Sequence, residues 1–275
     1  MPNEFFHFLK TYNVIGLAIA VIIAIPTALL SCFLVLKGWA LLGDAISHAV
    51  FPGVVIAYLL GVPIIIGGSV AAIGTALGIG ALTRRSGLRS DAVIGVLFAG
   101  MFALGVALFS AIPNFVGDLL GFLFGDVLGI SFGDLAALSL LATIVVSIVA
   151  LFWKELLYAT FDPLGAGAAG LQVRRLEDLL LVLIAVTIVV SLQAVGIVLV
   201  VAMITTPAAT AQLLVRRFDR MIVVAALVGV ASGVIGLYAS YLFDVASGAS
   251  IVLVETLLFV VVLALTRLRG RGASA

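Results

Sequence analysis

Apolar residues in this chain come in long runs cut by short polar breaks, and the spacing of those breaks gives the elements. A helix rising about 1.5 Å per residue needs roughly 20 apolar residues to cross a hydrocarbon core. Nine stretches approach that length: Val14 to Leu36, Ala40 to Leu60, Pro63 to Leu82, Ala92 to Ser110, Phe132 to Phe152, Leu176 to Leu192, Val195 to Val215, Met221 to Tyr241 and Ser250 to Leu265. The first is too long for the apolar part of a cleavable signal and reads as an anchor. The expected fold is all-α: a polytopic membrane protein of about eight or nine transmembrane helices, with residues 1–275 as a single transmembrane domain.

The breaks alternate in charge. Basic residues gather at Arg84, Arg85 and Arg89, at Lys154, Arg174 and Arg175, at Arg216, Arg217 and Arg220, and at Arg267, Arg269 and Arg271, with Lys37 on the same side. By the positive-inside rule these connections are cytoplasmic. The connections at Leu60 to Pro63, Ala111 to Ser131, Leu192 to Gly196 and Phe243 to Gly248 lack Lys and Arg and face outward. Nine spans leave the N-terminus outside and eight move it to the cytoplasm. In the second outward connection Gly117, Gly121, Gly125 and Gly129 recur every fourth residue, which suits a short re-entrant helix packed on its neighbours.

Composition agrees. The chain is 64% hydrophobic and 10% charged with a mean hydropathy of +1.40, whereas soluble domains carry about a quarter charged residues. Fourteen Lys and Arg against thirteen Asp and Glu give a net charge of +1, too small a surplus to hold a nucleic acid. The single cysteine, Cys32, lies in an apolar run and forms no disulfide within one chain. None of the three lysines (Lys10, Lys37, Lys154) sits in a phosphate-binding G-x-x-x-x-G-K-[ST] loop, and H-E-x-x-H does not occur. The chain is read as a non-enzyme with no ATPase motif of its own.

Within the apolar runs one pair stands apart. Asp44 and His48 lie four residues apart on one face of the second segment. An Asp at a helix centre in hydrocarbon costs about 2.5 to 3.5 kcal/mol, so such residues face an interior and serve a function. A carboxylate oxygen and an imidazole nitrogen suit manganese, iron(II) or zinc. The competing reading is that the two bond to each other or to a neighbouring helix. Pro52 and Gly53 follow one turn later and are expected to kink or break the helix and free carbonyls beside a pathway. Pro207 reads as a packing kink, Glu255 as an interfacial residue without a role, and His7 as the polar tip of an aromatic belt.

The longest inward connection, Trp153 to Arg175, exceeds what a turn between helices needs. Asp162 suits an N-cap, Pro163 a first helical turn, and Gly170 a left-handed terminator. Either a short helix results, with small apolar residues Leu164 to Ala169 made for a groove on a cytoplasmic partner, or the segment is a flexible Gly/Ala loop.

The stretch LKGWALLGDAISHAVFPGVVIAYLLG, followed in order by TRRSGLRSDAVIGVLFAGMFALG, LLGFLFGDVLGIS, FDPLGAGAAGL and SLQAVGIVLVVAMITTPAATAQLL, resembles the permease subunits of the manganese, zinc and iron ABC importers, the ABC-3 family. The resemblance covers nearly the whole chain. It implies a multi-pass subunit of the bacterial cytoplasmic (inner) membrane that pairs with a second permease copy, as a homodimer or related heterodimer. It further implies a cytoplasmic ATP-binding subunit that hydrolyses ATP and an extracytoplasmic metal-binding protein that delivers the ion. Carried onto this chain, the metal ligands are Asp44 and His48. The short cytoplasmic coupling helix is Phe161 to Leu171, including Asp162, Pro163, Leu164, Gly165, Ala166 and Gly170. No permanent cofactor is implied: the metal is cargo, with manganese favoured and zinc or iron(II) as alternatives. An ion-coupled secondary metal carrier has no use for Phe161 to Leu171, and an intramembrane aspartyl protease lacks its usual GxGD loop here.

Overall fold

The computed structural model describes residues 13–112 and 132–272, and the glycine-striped stretch 117–129 lies outside them. Eleven helices follow one another in the described residues: α1 (Asn13–Leu36), α2 (Leu42–Leu60), α3 (Ile64–Ser86), α4 (Ser90–Ser110), α5 (Phe132–Leu151), α6 (Trp153–Phe161), α7 (Pro163–Ala168), α8 (Val173–Met203), α9 (Thr206–Leu214), α10 (Phe218–Phe243) and α11 (Ser247–Gly272). No strand occurs among them. Seven helical stretches are long and apolar enough to cross a membrane, and an eighth appears if α5 and α6, bent by 68°, count as one span. The protein is a multi-pass, all-α membrane protein.

Helices α1, α2 and α8 form the centre. Ile19, Ile23, Leu30, Phe33, Leu42, Ile46, Leu181, Ile184, Ile188 and Leu192 are all buried against one another. Helices α4 and α11 lie outermost, and the exposed Val96, Leu140, Leu227, Leu253 and Leu257 point away from that core. Apolar side chains on the outside are destabilising in water and favourable in lipid.

Four contacts gather the basic breaks at one end of the bundle. Lys37 and Arg84 reach Glu177 and Asp178 at the start of α8. Thr160 of α6 lines the same cavity as Lys37 and Arg84. Phe161 meets Phe218 edge-on, with ring centroids 6.1 Å apart. Arg216 and Arg267 line one cavity. The chain leaves this end at Asp178 and returns to it at Arg216, turning at Gly196, where φ is 78° and ψ 169°. The return limb is not one rod: it stops at Met203 and restarts at Thr206, with the buried Pro207 in the first turn of α9. Pro207 therefore marks a full interruption.

Pro52 behaves differently from expectation. Helix α2 runs unbroken from Leu42 to Leu60 with Pro52 inside it and buried. One missing donor did not break the helix because tertiary packing holds it: the backbones of Gly53 and Gly67 touch where α2 crosses α3, and a Cβ on either would strike the other's carbonyl. Gly53 is a packing residue between α2 and α3, and the helix break expected beside a pathway at Pro52 and Gly53 is absent.

Candidate functional site

Asp44 stands in the first turn of α2, where a carboxylate complements the helix dipole, and His48 follows one turn later. The antiparallel crossing of Gly53 on Gly67 puts Asp44 level with the middle of α3, roughly 12 Å along that helix from Arg84. The pair is thus inside the apolar layer, nearer its basic end. His48 Nδ1 lies 3.0 Å from the Asp44 backbone carbonyl and 3.2 Å from Asp44 Oδ1. With Nδ1 carrying its hydrogen and donating to Asp44, Nε2 keeps its lone pair. The two residues therefore bond to each other, and that bond leaves Nε2 as the ring nitrogen not engaged by Asp44.

The imidazole is wedged edge-on against Phe98 and Phe102 of α4, with centroid distances of 5.1 and 5.4 Å, and those two rings stack on each other. Helix α4 is held close by Gly105, which rests on Phe51 and Pro52. The side chains of His48 and Asp44 remain 26% and 41% exposed, so the pair opens to the outside of the single chain between α2 and α4. No group of three or more His, Cys, Asp or Glu side chains able to hold a metal occurs among the described residues. The described residues of one chain offer one nitrogen and one carboxylate here, fewer ligands than manganese, iron(II) or zinc takes.

At the basic end sequence reasoning missed a charge cluster. Lys37 Nζ is 2.7 Å from Glu177 Oε1, and Arg84 Nη2 is 2.9 Å from Asp178 Oδ1 and its Nη1 3.8 Å from Glu177. Lys37 also lies 4.9 Å over the Trp39 ring. These residues pin α1 and α3 to α8 around a cavity of about 340 Å³ that Thr83 and Thr160 also line. Only the acidic pair Glu177 and Asp178 beginning an apolar run signalled it.

Glu255 is not interfacial. It is fully buried between α10 and α11, where Ser232 Oγ donates to its Oε1 at 3.3 Å, while Oε2 has no hydrogen bond among the described residues.

The segment after α6 has the cap its residues called for. Asp162 Oδ1 accepts from the Gly165 N–H at 2.8 Å, and Pro163 opens α7. At the other end Gly170, at φ +85°, lets the Leu171 N–H reach the Ala166 carbonyl and its own N–H reach Gly167. That paired closure is a Schellman motif. Ala166 is buried, whereas Leu164 is 88% exposed and Phe161 60%. The short helix therefore presents a bare leucine on the surface of the basic end. Phe161, the last residue of α6, touches Phe218, which in turn packs on Phe33 and Trp153, so the end of α6 that leads into α7 is joined by aromatic contacts to α1 and α10.

Comparison with known proteins follows the same outline. The family model described as ABC 3 transport family matches residues 11–266. The manganese transport system membrane protein MntC of Listeria monocytogenes is 44% identical over 244 residues, 89% of this chain and 87% of that protein. A probable iron transport system membrane protein of Haemophilus influenzae is 44% identical over 256 residues, 93% of this chain and 94% of that one. Among solved structures, PsaBC from Streptococcus pneumoniae in complex with Fab superposes with a TM-score of 0.83 at 35% identity, covering 95% of each chain.

Proposed function

The chain belongs to the ABC 3 transport family, and from that premise we propose that it is the membrane-spanning permease of an ABC importer carrying a divalent transition metal, manganese first, into the cytoplasm. The observation that carries this reading is the Asp44–His48 pair: an ionisable couple at membrane depth, oriented by its own hydrogen bond. His48 Nε2 takes the cation, and Asp44 fixes the imidazole tautomer and offers its second oxygen. Because one chain supplies too few ligands, a second permease copy placed against α2 and α4 brings its own pair to the same path. Mixed nitrogen and oxygen ligands in that number bind manganese without the affinity that would trap it.

Energy enters from outside the chain. A cytoplasmic ATP-binding subunit seats Leu164 and the capped α7 in a groove, and its closure is passed to α1 and α10 through Phe161, Phe218 and Phe33. The cation site is then exposed alternately outward, where an extracytoplasmic binding protein delivers the ion, and inward. The bacterial cytoplasmic membrane is its location, with the basic end inside.

Iron(II) is the second reading, supported by the equal identity to a relative named for iron; zinc fits the donors as well. Uptake of radiolabelled manganese into vesicles holding the assembled importer, with unlabelled manganese, iron(II) and zinc as competitors, tests the assignment. Manganese competing best is expected. Strongest competition by iron(II) or zinc reassigns the cargo, and no ATP-dependent uptake of any of the three removes the proposal.

A further inference from the structure

Between the end of α9 and the last turns of α11, at the basic end of the bundle, lies a cavity of about 440 Å³ lined by Gln212, Leu214, Arg216, Leu263, Thr266 and Arg267. Its two arginines form no ion pair with any described residue, while neighbouring Arg217 is engaged by Asp219 at 3.4 Å. The lining combines leucines with guanidinium, amide and hydroxyl groups. Helix α11 is among the outermost, with Val261, Leu265 and Leu268 exposed. Two cations without an ion pair, at the basic end of a partly leucine-lined cavity beside an outermost helix, match a phosphate on an aliphatic stem.

We propose that this cavity is a binding site for the headgroup of an anionic phospholipid of the cytoplasmic leaflet. Arg216 and Arg267 hold the phosphate, Gln212 and Thr266 hydrogen-bond the remaining headgroup oxygens, and Leu214 and Leu263 guide the first acyl methylenes. Basic pockets between helices at the cytoplasmic surface take such lipids because charge attraction and apolar burial act together. A protein carboxylate from the ATP-binding subunit would answer the arginines alone and leave the leucines uncovered. This site is independent of which cation the importer carries.

The test uses the permease assembled with its ATP-binding subunit and reconstituted in phosphatidylcholine containing phosphatidylglycerol, read by native mass spectrometry. Bound phosphatidylglycerol on each permease chain is expected, with phosphatidylcholine absent from the site. Arg216→Gln with Arg267→Gln lowers that occupancy by about tenfold or more, as the loss of two cationic contacts requires, and the complex stays intact. Arg217→Gln, which removes a charge already paired, leaves occupancy unchanged. Unaltered lipid occupancy in the double variant overturns the proposal. So does displacement of the lipid by inorganic phosphate, which would make this a free-anion site, or loss of the ATP-binding subunit with lipid retained, which would make it a protein contact.

Discussion

His48 turns Nδ1 back onto Asp44, within 3.0 Å of its carbonyl and 3.2 Å of its carboxylate, so that Nε2 is the ring nitrogen left out of that bond and, on the proposed function, the one that takes the cation. The arrangement assigns unequal roles to two residues that the sequence presented as equivalent ligands.

That inequality is measurable. Asp44→Asn keeps a hydrogen-bond acceptor for Nδ1 and loses the charge, and the expected fall in metal uptake is about 10- to 100-fold, the usual cost of weakening a ligand's orienting partner. His48→Ala removes the nitrogen itself and abolishes uptake. Initial rates in vesicles at equal complex content separate the two; equal losses would make Asp44 a direct ligand of the same weight.

Acidity should act through the same nitrogen. A protonated imidazole has no lone pair, and its ordinary pKa is about 6.5. Metal binding by the purified permease is therefore complete above neutrality and lost as pH falls through the imidazole range, about tenfold per pH unit below it. Binding isotherms between pH 8 and about pH 5 check this, and a flat profile would exclude a histidine ligand.

Much of the molecule was legible in its residues. Runs of apolar residues near the thickness of a bilayer marked the helices, Asp44 and His48 shared a helical face, and Asp162, Pro163 and Gly170 marked α7. What escaped depends on contacts between distant segments. Pro52 reads locally as a breaker, but α2 continues through it, packed on α3 at the Gly53–Gly67 crossing. Glu255 looked interfacial because its depth is set by α10, whose Ser232 meets it in the interior. The cluster of Lys37, Arg84, Glu177 and Asp178 joins residues 140 and 94 positions apart, and no local pattern shows such pairing.

The helix crossing beside the site tolerates no added atom. Gly53→Ala would press a Cβ onto the Gly67 carbonyl and the Ala71 methyl. Backbone cannot yield as a flexible side chain does, so a loss of about 1 to 3 kcal/mol or more is expected. Unfolding of the purified variant in detergent measures it, and Gly95→Ala, where a Cβ meets nothing within 4 Å, is the neutral control.

On the cytoplasmic side, Leu164→Ala should leave folding untouched, since the side chain is 88% exposed, yet weaken capture of the ATP-binding subunit and reduce ATP-driven uptake by tenfold or more, roughly the loss of one anchor side chain. Asp162→Ala should cost about 1 kcal/mol through the lost cap. Co-purification of the subunit with each variant is the measurement. Full retention with Leu164→Ala would move the contact elsewhere.

The most direct measurement is electron paramagnetic resonance of manganese(II) titrated into the purified permease assembly, comparing wild type with His48→Ala at matched folding. A signal of protein-bound manganese carrying nitrogen couplings in the wild type, absent from the variant, is the expected result. Bound manganese of the same amount and the same spectrum in both proteins would contradict the claim that this histidine receives the ion.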